Sequence, residues 1–499
     1  LGMADGWARL TRSPGVCTAT CGPGVTQLAT ALLTASRAES PLVAFVGEYP
    51  TNDDEYVQRL DQERFATACE TGFVRVVSPD NAYEVVRKAF YRARLESRPI
   101  MLSAPMDVQQ LTFEDEEPYQ PSLALLPNEP VYPNPRAIRQ AADLIAGSGQ
   151  PVIVAGRGAK WSGAGQAILD MGERTGALIA TTLMAKNWLN DCEYHAGISG
   201  FYGTRTALQL FQEADCVIAV GASLNRYTTE HGYLYPNARY VQLDTRPHVM
   251  MGNGRAADCY VQADARLGVE ALQTALADRG VQLTGYRTPE VKARLARQFE
   301  DPAEFPIEPD RVDARQVCLA LDEIVPPDVG LVMGSGASTG FTTMLFNRSR
   351  PMVLAGHFFG CIGQMLPAAI GAVVASGNKP AMLVDGDASV LMHVAEFETA
   401  VRYELPLLVV VLNDEALGSE YHKMRSQDRK SELATITTPD LGAVGVAFGG
   451  RGRLARSVEE VRAAAKDWLA KPGPMILDVR ISRNVVTIPY RRMQYGRDE

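Results

Sequence analysis

Histidine is scarce in this chain: six occur among 499 residues, and they are dispersed. That argues against a histidine-built metal centre. The eight cysteines, at 17, 21, 69, 192, 216, 259, 318 and 361, form no Cys-x-x-Cys pair. They read as reduced core residues of a cytoplasmic protein, not as zinc ligands or a disulfide framework. No apolar run reaches the roughly 18–20 residues that a membrane span needs, and no signal peptide is visible. Long basic runs are lacking too, and the formal net charge is −9. Nucleic acid and membrane are therefore not expected as partners. An initiator methionine is also missing. The chain opens Leu1-Gly2-Met3-Ala4-Asp5, in what reads as mid-helix, so further residues are expected upstream.

What is present is a globular composition, 46% hydrophobic and 21% charged, over a length that suits roughly three domains. Helical and strand patterns alternate throughout. The expected fold is α/β, with three doubly wound parallel-sheet domains. The first domain spans 1–115 and a proline-bearing linker follows at 116–135. A central Rossmann-like domain occupies 136–285. A second linker, 286–313, carries Pro302, Pro306 and Pro309. The third domain is 314–480, and 481–499 is a tail draped over a neighbour. In the central domain Gly156-Arg157-Gly158-Ala159 follows an apolar strand but lacks the full dinucleotide fingerprint. A tight turn packing a helix on a sheet explains it better.

The most informative stretch is 381–418. An apolar strand, 381–384, runs into Asp385-Gly386-Asp387-Ala388-Ser389. A helix is predicted over about 391–403, and a second apolar strand from Pro406 ends at Asn413-Asp414. Asp387 and Asp414 are 27 positions apart. A strand–helix–strand unit brings parallel strand ends to one edge, so the two carboxylates should meet. Hard oxygen ligands beside a glycine turn and a helix start suit Mg²⁺ and a diphosphate. The first domain looks like a distant copy of the third. Gly22-Pro23-Gly24 before the strand 41–47 parallels Gly386-Asp387-Ala388 before 406–412, and 98–102 parallels 473–477.

Gly386-Asp387-Ala388 … Asn413-Asp414 resembles the diphosphate-binding motif of thiamine diphosphate enzymes, with Ala388 and Asp414 departing from the family's Gly and Asn. Met3-Ala4-Asp5-Gly6-Trp7-Ala8-Arg9 with Gly22-Pro23-Gly24-Val25-Thr26 resembles that family's pyrimidine-binding domain. Gly360-Cys361-Ile362-Gly363 before Leu366-Pro367-Ala368-Ala369-Ile370-Gly371 resembles the segment that bends the cofactor. The likeness spans essentially the whole chain and is greatest to the acetolactate synthase and 2-oxoacid decarboxylase branch.

The resemblance implies thiamine diphosphate and Mg²⁺, with the thiamine diphosphate-binding fold in the first and third domains. Asp387, Asp414 and the Ala416 carbonyl would hold the metal. Gly386, Ala388, Ser389, Leu417 and Gly418 would surround the diphosphate, and Gly360, Cys361 and Ile362 the ring end. Ile362 is the wedge between the rings, and Gly360 supplies a carbonyl. The family's activating glutamate would precede Leu1. It reaches across a subunit interface, which implies a homodimer at least and a homotetramer as the expected assembly.

On the reactive face, Glu420 stands where decarboxylases carry an acid; as a solvated helix acid it would instead pair with Lys423. His357 either faces the cofactor or is a packed, hydrogen-bonded histidine. Gln62 matches a polar substrate-side position. FAD binds the central domain in the synthase branch. Gly221-Ala222-Ser223-Leu224-Asn225-Arg226 lies where a contacting loop would be, but no pattern there supports FAD. The expected activity is decarboxylation of a 2-oxo acid, with release of the remaining fragment or its ligation to a second carbonyl. The alternatives are a lyase or carboligase acting on 2-hydroxy ketones or 2-hydroxyacyl thioesters, and a cofactor-binding but inactive regulatory relative.

Overall fold

A computed structural model describes residues 1–113, 118–127, 129–246, 251 and 254–496. Parts of the first expected linker and the last three residues of the tail lie outside these. Among the described residues, sixteen strands form three all-parallel sheets. The first holds Gly15–Ala19, Leu42–Glu48, Gly72–Arg75 and Pro99–Pro105 (β1–β4), in the order β1-β2-β4-β3. The second holds Pro151–Ala155, Leu178–Thr181, His195–Ile198, Cys216–Val220, Arg239–Asp244 and Cys259–Gln262 (β5–β10). Its order, β10-β9-β8-β5-β6-β7, is a doubly wound sheet with its switch point between β5 and β8. The third holds Gly330–Met333, Val353–Ala355, Ala381–Gly386, Leu407–Asn413, Arg451–Ala455 and Met475–Arg480 (β11–β16), in the order β12-β11-β13-β14-β16-β15.

The order β13-β14-β16-β15 repeats β1-β2-β4-β3 strand for strand. The suspected duplication is thus one of topology, with β11 and β12 added outside β13. Helices cover the faces of the sheets and bury the central strands most deeply. Every residue of β4, β14 and β16 is buried, which is why these strands read as largely apolar runs.

The first and third domains dock through two helices, Gly2–Thr11 and Met365–Ala375. Glycine makes this approach feasible. A Cβ on Gly6 would land on the Ala368 carbonyl, and one on Gly371 on the Met3 carbonyl. The helix Met365–Ala375 directly follows the segment 360–363, so this contact also holds that segment in place.

Three local expectations change. The helix foreseen over 391–403 starts at Asp387, immediately after β13. It breaks at His393 (φ −134°) and continues as a 3₁₀ turn, Val394–Glu396, and a helix, Phe397–Arg402. The helix foreseen after Gly22 is likewise two, Pro23–Thr26 and Ala29–Arg37. The tail folds back on its own chain. Arg491 pairs with Asp301 at 2.8 Å, Arg492 with Glu230 of the central domain at 2.6 Å, and Val485 and Ile488 join the third domain's core.

Candidate active site

Strands β13 and β14 run in register from Ala381 beside Leu407 to Gly386 beside Leu412. Each chain then leaves the sheet at the same edge, one into Asp387 and the other through Asn413 into Asp414. Strand β11 flanks β13, and its loop, 334–338, arrives at that edge as well. Together with Gly360 and Ile362 these loops enclose a cleft of about 340 Å³, lined also by Gly386, Asp387, Ala388, Ser389, Asp414, Ala416, Leu417, Gly418, Ser419 and Glu420.

Asp387 is 1% exposed, and its buried Oδ2 has no hydrogen-bond partner. Burial pushes its carboxyl pKa upward. The Asp414 carboxyl is pushed up by burial and then by the negative charge of Asp387, and Arg483 only partly offsets this. Two buried acids with raised pKa values, one of them with an orphaned oxygen, make a seat that a hard cation could complete. Asp414 Oδ1 accepts from the Ala416 N–H at 3.1 Å. Ala416 forms an antiparallel bridge with Thr435. Its bonds run from the Leu417 N–H and to the Glu415 carbonyl, not to the Ala416 carbonyl between them. Glu415 between them takes φ +54°, and its side chain is pinned by Arg311, by Arg480 at 3.1 Å and by Arg483 at 3.9 Å. That pinning fixes the turn carrying Asp414.

The glycines leave room for a ligand. A Cβ on Gly386 or on Gly360, both in the cleft wall, would meet no protein atom within 4 Å. Gly360 has φ +69°, a conformation that favours glycine. Ala388 lies inside the helix Asp387–Met392, where alanine is at ease, so the departure from Gly at this position is harmless. Ser389 Oγ donates to Asp385 at 2.6 Å and accepts from the Gly363 N–H at 2.8 Å. Its hydroxyl therefore ties the diphosphate turn to the bend segment, and its backbone N–H is what it offers to the cleft.

Other sequence-based assignments fare differently. Cys361 turns from the cleft, its thiol 3.1 Å from Thr34 Oγ1 of the first domain. Glu420 does line the cleft, half exposed, and pairs with Lys423 Nζ at 3.5 Å. His357 is outside the cleft wall. Its Nε2 bonds the Tyr202 hydroxyl at 2.6 Å, and burial pushes its pKa down to about 4. This is the packed histidine. Gln62 is 2% exposed and donates to the Gly47 carbonyl at 2.7 Å, with Ser103 Oγ 3.0 Å from its Oε1. Within one chain it serves the first sheet's edge rather than the cleft.

The sequence reading overlooked Ser335, Gly336, Ala337, Ser338 and Ser419. Gly334-Ser335-Gly336-Ala337-Ser338 directly after an apolar strand was a legible turn signal. Asp385 was overlooked too. It is buried, pushed up to about 7 by that burial, and accepts from the Gly386 N–H at 2.8 Å.

At the central sheet's switch point the glycine turn bonds within the protein. The Gly156 N–H bonds the Val220 carbonyl at 2.9 Å, and the Gly158 N–H bonds the Gly221 carbonyl at 3.1 Å. Arg157 is held by the Ala38 carbonyl at 2.6 Å and by Glu39. Asn225 Oδ1 accepts from the N–H groups of Tyr227 and Thr228.

Three family descriptions match the chain in order: the thiamine pyrophosphate enzyme N-terminal binding domain over 1–66, the central domain over 138–272 and the C-terminal binding domain over 334–479. An acetolactate synthase large subunit from Parasynechococcus marenigrum is 30% identical over 502 residues, covering 96% of this chain and 79% of that protein. The chain belongs to the thiamine pyrophosphate enzymes. It is also similar to acetolactate synthase isozyme 2 large subunit of Escherichia coli K12, at 29% identity over 96% of this chain and 86% of that protein. A probable acetolactate synthase large subunit from Methanocaldococcus jannaschii is 29% identical over 96% of this chain and 83% of its own length. Apart from Ile481, the residues lining the cleft at the β13–β14 edge fall within the part matched by the C-terminal thiamine pyrophosphate-binding domain.

Proposed function

We propose that this thiamine pyrophosphate enzyme binds its cofactor with Mg²⁺ at the β13–β14 edge and decarboxylates a 2-oxo acid, releasing the remaining fragment or ligating it to a second carbonyl. The observation that carries this reading is the orphaned Asp387 Oδ2 facing Asp414 beside the open space at Gly386.

Asp387, Asp414 and the Ala416 carbonyl would hold the metal. The N–H groups of Ala388 and Ser389 at the helix start would hold phosphate oxygens. Gly360 and Ile362 shape the ring end of the cleft. When bound, thiamine diphosphate supplies a carbon nucleophile for the 2-oxo group and delocalises the charge left as CO₂ departs. Glu420 then stands at the wall of the same cleft as a proton donor or acceptor for the fragment that remains. His357 and Gln62 are assigned to the fold. The assembly is a homodimer at least, and a homotetramer by the family's habit, in the cytoplasm.

Asp387→Ala tests the reading. Calorimetric titration should show loss of Mg²⁺-dependent thiamine diphosphate binding, and normal binding by that variant would overturn the site. A panel of aliphatic and aromatic 2-oxo acids, scored for aldehyde and ligated product, then defines the reaction.

A further inference from the structure

The helix Gly418–Ser426 carries Ser419 and Glu420 at the cleft wall, yet it has almost no hydrophobic reason to lie where it does. Its sequence, Gly-Ser-Glu-Tyr-His-Lys-Met-Arg-Ser, has no apolar stripe, and His422 is its single buried residue. A helix of this kind cannot be oriented by burial and needs directional contacts to fix its rotation. Two come from the tail. Ser419 Oγ and Tyr490 OH are 2.9 Å apart, and His422 Nδ1 and Tyr495 OH are 2.9 Å apart. Ser419 and His422 are three residues apart and so share a helix face. Glu420 and Lys423 lie on the neighbouring face, paired with each other at 3.5 Å.

The tail has firm anchors of its own. Arg491 is 8% exposed and donates to both Asp301 oxygens, at 2.8 and 3.1 Å, and to the Val486 carbonyl at 2.8 Å. Arg492 reaches Glu230 of the central domain at 2.6 Å. Tyr490 is 8% exposed against the helix Ser338–Leu345, where Gly340 makes space: a Cβ there would lie 3.0 Å from the tyrosine ring.

We propose that Tyr490 and Tyr495 are positioning residues for this reaction. The two phenols set the rotation of the helix Gly418–Ser426, and thereby where Glu420 stands over the cleft. The role given to Glu420 rests on the function proposed above; the clamp itself does not.

The test uses the holoenzyme, with Mg²⁺ and thiamine diphosphate bound, as Tyr490→Phe, Tyr495→Phe, the double variant, Ser419→Ala and Ser419→Ala/Tyr490→Phe. Hydrogen–deuterium exchange of peptides covering 418–426 should quicken about two- to tenfold for each lost hydroxyl and further in the double variant. Cofactor affinity should stay unchanged. Turnover should fall in kcat more than in KM, and the ratio of aldehyde to ligated product should shift. Ser419→Ala/Tyr490→Phe should exchange no faster than the worse single variant, since both remove one bond. Glu420→Gln should lower kcat without altering exchange in 418–426. Unchanged exchange in the Tyr490→Phe/Tyr495→Phe variant overturns the clamp. Faster exchange with kcat and product ratio both unchanged overturns the positioning role. If the wild-type holoenzyme turns over no 2-oxo acid, the reaction assigned above falls, while the exchange result still decides the clamp.

Discussion

Gly386→Ala separates what the cleft needs from what the fold needs. Gly386 sits at φ −82° and ψ 159°, ordinary extended backbone that alanine adopts freely. The added Cβ would meet no protein atom within 4 Å. The fold therefore has nothing to lose. Reduced freedom of the unfolded chain should stabilise the variant by about 0.4–1 kcal/mol. The new methyl group, however, projects at a wall of the cleft that the diphosphate is proposed to fill. Forcing an extra carbon into a filled contact costs about 1–3 kcal/mol, or roughly five- to 150-fold in Kd. The expected result is thus opposite in sign for the two measurements. Denaturant unfolding of the apoprotein should show equal or greater stability, and calorimetric titration with thiamine diphosphate and Mg²⁺ should show weakened binding. Undiminished affinity would mean that the diphosphate does not lie against Gly386. Destabilisation beyond about 1 kcal/mol would mean that the glycine is required by the fold, against the geometry.

Two further outcomes are expected. Glu420→Gln should slow turnover of a 2-oxo acid while sparing cofactor affinity; unchanged turnover would leave Glu420 as the partner of Lys423 alone. His357 makes acid sensitivity predictable, because burial lowers its pKa from 6.5 to about 4. The unfolded chain binds this proton first as pH falls, so the contribution of His357 is fully present above about 6.5 and is lost on the way down to about 4. It amounts to about 3 kcal/mol for that shift. Unfolding followed from pH 7 to pH 4 should show a shallower fall in stability for His357→Gln than for the parent, and equal slopes would refute the assignment.

The edge that carries the site was legible because two signals coincide there. Apolar runs ending in Gly386-Asp387 and Asn413-Asp414 mark strand ends, and parallel topology brings such ends together. The loop 334–338 carried an equally clear turn signal, but its relevance depends on β11 lying beside β13, and strand order is a long-range property that a local pattern does not encode. A Cβ on Gly334 would collide with the Asp385 carboxylate, yet nothing near Gly334 in sequence announces Asp385. His357 shows the same limit, since its partner Tyr202 belongs to another domain. The burial of Gln62 has a local reason. It follows Asp61, whose carboxylate caps the helix Gln62–Ala68 by accepting from the Arg64 N–H at 3.0 Å. A polar residue at a helix start reads as accessible, whereas this one turns under Ser103 and is buried.

The duplicated topology shows why only one half pairs two carboxylates at its edge. The Gly15 N–H bonds the Pro41 carbonyl at 3.1 Å, and the Ala381 N–H bonds the Pro406 carbonyl at 3.0 Å, so these two strand starts are equivalent. Counting along both strands sets Ala19 against Asp385, Cys21 against Asp387, Glu48 against Asn413 and Tyr49 against Asp414. The first half therefore has a thiol and a phenol where the third has two carboxylates, and neither is a ligand for a hard cation. Its turn is also closed by protein. Cys21 Sγ donates to the Gln58 carbonyl at 3.3 Å, and a Cβ on Gly22 would meet that same oxygen at 2.6 Å. The corresponding space beside Gly386 is open. One topology thus yields a sealed edge in the first domain and an acid-lined cleft in the third. The difference lies in the two residues that follow the paired strands and in whether a neighbouring segment covers them.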